Sequence, residues 1–281
     1  MEYSYFPGCA AHGTAIDQHL STMAVLNALE IGLEELPDWN CCGATPGHTV
    51  GGDLALALSS RNLEIAAGQK RPLMVPCASC YSNLRKAAAY RREAGTFDPE
   101  GNAVEVISIA ALLSEDEVLC RIHNKVKKPL RDLTVAPYYG CLLARPPEPA
   151  GAEDAENPLQ IDRVAEACGA HAVQWSHKTE CCGGPHTLSH PELVEKMSMP
   201  LLESARRRHA DVIVTACPMC HTSLDSVQWK LRQRTADSPV VPVLYLTELV
   251  ALALALPRPG RWLKKHLVNP IPFLKEKGAL Q

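Results

Sequence analysis

A chain of 281 residues, 46% hydrophobic and 21% charged, has the composition of a soluble globular protein long enough for two cores. Its formal charge of -3 supplies no basic surface of the kind nucleic acid requires, which excludes that class of partner. The start, Met1-Glu2-Tyr3-Ser4-Tyr5, lacks the basic and apolar regions of a signal peptide, and the longest apolar run, Leu244 to Leu256, falls short of the roughly 20 residues that span a bilayer. The expected location is the cytoplasm, where clustered cysteines more often bind metal than pair as disulfides.

In chain order, Glu2 to Phe6 alternates and is rich in aromatics, so it is predicted to be a strand turned by Pro7-Gly8. Ala15 to Ile31 carries Leu20, Met23, Leu26 and Leu29 at helical spacing. Leu33 to Pro37 is a short strand. Gly47 to Gly52 is expected to be a loop, and Asp53 to Ala67 a helix with Asp53 as its N-cap. Pro72 to Pro76 is a buried strand, Ser79 to Glu93 a helix, Ala103 to Ile107 a strand, and Ile109 to Leu119 one further helix. Lys127-Lys128-Pro129 marks a boundary, after which the order returns. Leu133 to Ala136 is a strand, Leu159 to Cys168 a helix and His171 to Trp175 a strand. Pro191 to His209 is a helix, Asp211 to Thr215 a strand and Pro218 to Arg234 a helix. Val240 to Leu244 is a strand and Leu246 to Leu256 a closing helix. Arg145 to Pro158 is predicted to be an exposed loop.

A cysteine pattern repeats on this scaffold. Cys9, Cys41-Cys42-Gly43 and Cys77-Ala78-Ser79-Cys80 are matched by Cys141, Cys181-Cys182-Gly183 and Cys217-Pro218-Met219-Cys220. From Cys42 to Cys77 there are 34 intervening residues, and from Cys182 to Cys217 again 34. The earlier gap is looser, 31 residues in the first half and 39 in the second. Ten of the 12 cysteines fall in this scheme, too many for chance spacing.

Strand–helix alternation predicts an α/β chain of two pseudo-symmetric repeats, each a small parallel sheet flanked by helices. The expected units are residues 1–128, residues 129–257 and a basic tail, 258–281. Every cysteine group follows a predicted strand, so all are expected to gather at the carboxyl ends of the strands as one metal site per repeat. Structural zinc or a cubane iron–sulfur cluster takes four thiolates and leaves one of the five over, whereas adjacent cysteines suit neighbouring irons of a wider cluster. Zinc in one half with a spare thiol is the alternative. Cys77 and Cys217, where helices begin, are expected to be favoured as thiolates. Cys120 and Cys168, outside the repeat, are expected to be buried apolar side chains.

The doubled motif resembles the cysteine-rich CCG-domain family typified by the B-type subunit of heterodisulfide reductase. The resemblance implies two noncubane [4Fe-4S] clusters, one on Cys9, Cys41, Cys42, Cys77 and Cys80, the other on Cys141, Cys181, Cys182, Cys217 and Cys220. It further implies reduction, or reversible formation, of a disulfide of small thiol cofactors or a sulfur carrier. The partners it implies are a ferredoxin-like iron–sulfur subunit of the C type, with a flavin subunit of the A type beyond it. The family also holds anchor subunits of succinate dehydrogenase-like or quinone-linked complexes and subunits of sulfur-oxidising complexes, which are the alternatives here.

His12, His48, His186 and His221 lie close to motif cysteines, and disulfide cleavage consumes protons; His48 and His186 are the candidate proton donors. Asn40 and Lys178-Thr179, beside the vicinal pairs, are candidate hydrogen bonders to substrate or cluster. The tail from Arg258 to Lys277 has six basic residues and one acid, interleaved with Trp262, Leu263, Leu267 and Phe273. It is expected to dock on a partner subunit or wrap round the core, with membrane contact the alternative. The active site is expected between the halves, with Gly43, Ala44, Gly183 and Gly184 leaving room for substrate sulfur.

Overall fold

The computed structural model describes residues 1–44, 46–95, 104–147, 154–235 and 238–280. The first half runs β1 (Glu2–Tyr5), a 3-10 turn (Cys9–His12), α1 (Ile16–Ala28), β2 (Gly32–Glu35), α2 (Pro46–Val50), α3 (Gly52–Gln69), β3 (Leu73–Val75), α4 (Ala78–Glu93), β4 (Val106–Ser108), α5 (Ile109–Ser114) and α6 (Asp116–Lys125). The second runs β5 (Thr134–Tyr138), α7 (Gln160–Ala167), β6 (His171–Ala172), a 3-10 turn (Gly184–His186), α8 (Pro191–Arg207), β7 (Val212–Thr215), α9 (Pro218–Arg234), β8 (Val243–Tyr245) and α10 (Leu246–Ala253). The short helices α11 (Gly260–Leu263) and α12 (Ile271–Glu276) form the tail.

Each half holds a four-stranded parallel sheet, ordered β2-β1-β3-β4 in the first and β6-β5-β7-β8 in the second. The chain winds outward from β1 in one direction and from β3 in the other, so each sheet has a switch point between its two central strands. Loops on either side of such a point diverge at the carboxyl edge and leave a crevice. The cysteine groups follow the three contiguous strands β2, β1 and β3, and in the second half β6, β5 and β7. The topology thus delivers each motif to its own sheet's crevice.

The two halves do not bury separate cores. One apolar cluster joins Tyr5, Leu26 and Met74 to Val135, Val214 and Leu249, and a second joins Phe6 and Val75 to Tyr138 and Ile213. The tail completes the first with Trp262, Leu263 and Leu274. It wraps the core, and Lys277 pairs with Asp211 at 2.8 Å.

Several sequence expectations are corrected. Gly47 to Gly52 is not simply a loop, because Pro46–Val50 makes a short helix. Gly51, not Asp53, precedes α3, and Asp53 sits in the first turn, where a carboxylate still complements the helix dipole. The helix expected over Ile109 to Leu119 is two, α5 and α6, because Glu115 is extended (φ -61°, ψ 139°). The strand expected from Ala103 begins at Val106 in the described residues; residues 96–103 lie outside them, as do 148–153 of the Arg145 to Pro158 loop. Cys168 is buried as expected, but Cys120 is exposed on α6.

The largest correction concerns α1. Leu26 and Leu29 are buried, but Leu20 and Met23 are about 40% exposed. The N-terminal part of the helix instead buries Asp17, Gln18, Ser21 and Thr22. Buried polar side chains are rarely left without partners, and although Thr22 Oγ1 has none among the described residues, Ser21 and Gln18 reach into the other half. Ser21 Oγ lies 2.7 Å from Thr247 Oγ1. Gln18 Nε2 donates to the carbonyls of Pro76 (2.9 Å) and Ala216 (3.2 Å). Those carbonyls immediately precede Cys77 and Cys217, so one amide ties the two Cys-x-x-Cys segments together.

Candidate metal centre

All ten motif cysteines are free thiols gathered at the facing sheet edges. Cys42 Sγ is 3.3 Å from Cys80 Sγ, and Cys182 Sγ is 3.4 Å from Cys220 Sγ, far beyond the disulfide bond length of about 2.05 Å. Further thiol hydrogen bonds join Cys41 to Cys42, Cys77 to Cys80, and Cys217 to Cys220. Across the halves, the Cys77 and Cys217 thiols are neighbours close enough to shift each other's titration. A continuous sulfur chain therefore runs Cys41–Cys42–Cys80–Cys77–Cys217–Cys220–Cys182. Cys141 bonds Cys181 beside it, and Cys9, the most exposed of the ten, lies within electrostatic reach of Cys41.

Local structure explains this convergence. Cys77 and Cys217 are the extended N-cap residues of α4 and α9, with Pro218 opening the latter. Cys217 is driven well below the usual thiol range by the hydrogen bond from Cys220, then that from Cys77, helped by the amides of Cys220 and Met219. The expectation of a thiolate holds for Cys217 only. Cys77 donates to it and is pushed up. Cys42 is lowered to about 4 by hydrogen bonds from Cys41 and Cys80, and Cys181 to about 6, chiefly by the bond from Cys141. Each half thus offers electron-rich sulfur whose neighbouring thiols hold the protons.

The glycine after each vicinal pair has a double duty. Gly43 and Gly183 both have φ of +75°, and their amides point at Cys41 Sγ and Cys181 Sγ, 3.4 Å away. A β-carbon on Gly43 would stand 3.0 Å from the Cα of Ala55 and 3.2 Å from Leu58. Gly43 therefore faces α3 and not the substrate, which corrects the expectation that it leaves room for substrate sulfur. Gly43→Val is expected to cost about 1–3 kcal/mol in strain and to lower iron loading. Gly184 has no left-handed backbone and lines the cleft described below; its β-carbon would meet Met219 at 3.1 Å and Cys182 Sγ at 3.3 Å. Gly184→Ala is expected to depress turnover while leaving iron content near wild type, so iron analysis and thermal melting separate the two variants.

The sequence reading missed a pair of clamps. Ser59 of α3 donates to the Cys42 carbonyl at 2.9 Å, and Ser198 of α8 to the Cys182 carbonyl at 3.0 Å. Their signal was positional: each serine lies 16 or 17 residues beyond its vicinal pair. Asn40 and Lys178, by contrast, are occupied. Asn40 bonds the carbonyls of Cys41 and Leu58 and accepts from Arg61. Lys178, buried with Asp162 at 3.1 Å, offers its carbonyl to the amides of Tyr139 and Gly140. Both hold loops in place, and Thr179 is buried beside Lys178.

Of the histidines, His186 is exposed, and its charge helps lower Cys181. His48 is exposed, with Nε2 3.4 Å from Asn83 Oδ1, and Asn83 in turn donates to the Cys42 carbonyl. His12 stacks on Trp39. His221 is buried, stacked on Tyr245 at 4.3 Å and bonded to the Val243 carbonyl, so it does not face solvent or a cleft.

A cleft of about 520 Å³ opens beside the sulfur chain. The first half contributes Ala10, Thr14 and Thr49, the second Gly184, Pro185, Leu188 and Met219. Its walls are mainly apolar with threonine hydroxyls, and among the described residues no charged side chain lines it. Leu188, at its edge, is 97% exposed.

The cysteine-rich CCG domain matches twice, over residues 3–85 and 135–225. The chain is 31% identical to the 8-methylmenaquinol:fumarate reductase membrane anchor subunit of Wolinella succinogenes, covering 95% of this chain and 97% of that protein. It is 29% identical to the B subunit of the ferredoxin/F(420)H(2)-dependent CoB-CoM heterodisulfide reductase of Methanosarcina acetivorans, over 96% and 95%. A protein of Archaeoglobus profundus, itself like the B subunit of heterodisulfide reductase, is 30% identical over 90% and 91%. Among solved structures, a hypothetical protein from Helicobacter pylori superposes with a TM-score of 0.69 over 95% of this chain at 13% identity. This chain covers 51% of that one, and the likeness concerns the fold alone. With both repeats matched and their ten cysteines drawn together at the strand ends, the chain belongs to the cysteine-rich CCG domain family and resembles the B subunit of heterodisulfide reductase.

Proposed function

We propose that this chain is the iron–sulfur subunit of a heterodisulfide reductase-like complex and reduces, or reversibly forms, a disulfide held between its halves. The meeting of Cys77 and Cys217, whose preceding carbonyls share the Gln18 amide at 2.9 and 3.2 Å, carries this reading, because it brings both motifs to one seam beside an open cleft. Cys9, Cys41, Cys42, Cys77 and Cys80 would hold one noncubane [4Fe-4S] cluster, and Cys141, Cys181, Cys182, Cys217 and Cys220 the other. The donor set fits: thiolates already form in each half, and the Gly43 and Gly183 amides face sulfur, a contact that raises reduction potential. Such clusters supply electrons one at a time, and a disulfide needs two electrons and two protons to become two thiols.

The protein's own residues then position and protonate. The wall from Gly184 to Leu188 and Met219 shields the disulfide from water, and threonine hydroxyls orient its polar atoms. His186, exposed and within electrostatic reach of Cys181, is the candidate proton donor, with His48 its counterpart in the first half. Electrons would come from a ferredoxin-like partner and, beyond it, a flavin subunit, in the cytoplasm.

A quinone-linked role is the second reading. The cleft's uncharged, mainly apolar wall favours it, as does the similarity to a methylmenaquinol:fumarate reductase subunit. Although that relative is named a membrane anchor, no helix among the described residues of this chain is long and apolar enough to cross a membrane.

Anaerobically isolated protein is expected to contain about eight irons and eight sulfides per chain, two four-iron clusters, with no tightly bound zinc. Its electron paramagnetic resonance spectrum should change on adding small-molecule disulfides. One zinc per chain overturns the symmetric assignment; a response to quinone analogues and to no disulfide transfers the conclusion to the second reading.

A further inference from the structure

Behind the sulfur chain lies a buried group of titratable side chains that the reading above does not use. Asp17 comes from α1, Asp225 from α9, Glu248 from α10 and His266 from the tail, and all are at least nine-tenths buried. His266 Nε2 lies 3.0 Å from Glu248 Oε1 and 3.6 Å from Asp17 Oδ2. The other Glu248 oxygen accepts from the Tyr245 amide at 2.9 Å. Asp225 accepts from the amides of Leu267 and Val268, at 2.7 and 3.1 Å, and so fixes the tail beside His266. His266 Nδ1 is buried with no hydrogen-bond partner among the described residues.

Charge counting makes this group unusual. Three carboxylates face a single imidazole, and the other ionisable groups packed against them, His221 and Tyr245, supply no positive charge. Burial pushes His221 well below its usual range, with His266 adding to the effect, and holds Tyr245 as a neutral phenol. Fully ionised, the cluster would keep uncompensated negative charge away from water, a costly state. It is therefore poised to take a proton beyond the one on His266 more readily than exposed carboxylates would. Consistent with this, burial and Glu248 raise Asp17 to about 6, and burial raises Asp225 to about 6. His266 is lifted to about 9 because Glu248, Asp225 and Asp17 outweigh its burial.

The cluster adjoins the seam on two sides. Gln18, next to Asp17, spans the carbonyls that precede Cys77 and Cys217. The Tyr245 hydroxyl lies within electrostatic reach of Asp17 and Glu248 and equally of Cys217 and Cys77. Tyr245 thus stands between the seam and the carboxylates, in the field of both.

We infer that the Asp17–Asp225–Glu248–His266 cluster takes up a proton when the metal groups at the Cys77–Cys217 seam gain an electron. The inference rests on the redox reading of that seam. One electron enters the seam from an external reductant and one proton enters the cluster from water, so the combined charge of seam and cluster is unchanged. The carboxylates are positioning residues here: they set the seam's electrostatics and touch no substrate.

The test is a potentiometric titration of the iron-loaded full chain between pH 5.5 and 9, followed by electron paramagnetic resonance, beside Asp17→Asn and Asp225→Asn. Iron and sulfide are assayed on the same samples. The wild-type midpoint potential is expected to fall as pH rises, towards the 59 mV per unit that corresponds to a tenfold change in a one-electron equilibrium. The slope is expected to flatten in at least one variant. Infrared difference spectra of the wild type on reduction should show a growing carboxylic-acid C=O band that shifts in D₂O, a readout that stands if neither variant loads iron. A flat wild-type potential, an undiminished slope in both loaded variants, or the absence of that band overturns the proton coupling. Lack of iron in the wild type overturns the functional reading instead.

Discussion

Cys217→Ala is expected to strip the second half of its iron and leave roughly half the wild-type iron in the chain, held by the first motif. Cys217 is buried, caps α9, and receives hydrogen bonds from Cys220 and Cys77. Its loss removes the acceptor on which two other thiols converge, one of them in the opposite half. The iron that remains is therefore expected to show an altered resonance spectrum, since Cys77 loses its neighbour across the seam. Disulfide turnover should fall by more than the 10–100-fold typical of outer-shell changes at metal sites. Cys168→Ala and Cys120→Ala are the controls. Cys168 is buried in the apolar core and Cys120 is exposed, and both lie outside the motifs. Wild-type iron content in Cys217→Ala, or loss of iron in Cys120→Ala, would refute the ligand assignment.

The second large effect concerns stability. His266→Leu leaves Asp17, Asp225 and Glu248 buried without their imidazolium, and removing one member of a buried charge cluster costs about 3–5 kcal/mol. For a chain of this size that is a melting point lower by roughly 10 °C. The pH dependence has a definite sign. His266 is raised from 6.5 to about 9 in the folded protein, so its contribution is complete below pH 6.5 and is lost as pH rises through about 9. Asp17 and Asp225, raised from 3.8 to about 6, bind protons more tightly folded than unfolded, and acidification from pH 6 towards 4 favours the folded state through them. The gap between wild type and His266→Leu should thus be widest near pH 7, narrowing above pH 9 as His266 loses its charge and below pH 6 as the carboxylates gain protons. Thermal melts of the apoprotein at pH 5.5, 7 and 9 measure it. A variant melting within a degree or two of wild type at pH 7 would show that the imidazolium does not balance these acids.

The sequence by itself determined the two repeats, the parallel α/β architecture and the ten cysteines. Repeated spacing and strand–helix alternation are local properties, and the 34-residue gaps carry them in both halves. The placement of Cys77 and Cys217 at helix starts was equally legible, because Cys-x-x-Cys follows a short buried strand each time. What only the tertiary structure decided is how the halves meet. The polar face of α1 contradicts its apolar spacing, since Asp17, Gln18 and Ser21 find partners at residues 198 to 249 positions further along the chain. Gly43 reads as spare room in the sequence, and only the approach of α3 makes it a backbone requirement. His266 stands in a basic tail that reads as either a docking segment or a wrap round the core, and only the tertiary structure shows the wrap and buries His266 against carboxylates from α1, α9 and α10. The physical reason is the same in each case. A buried polar group is stable only opposite its partner, and here the partners come from distant segments that composition and periodicity do not pair.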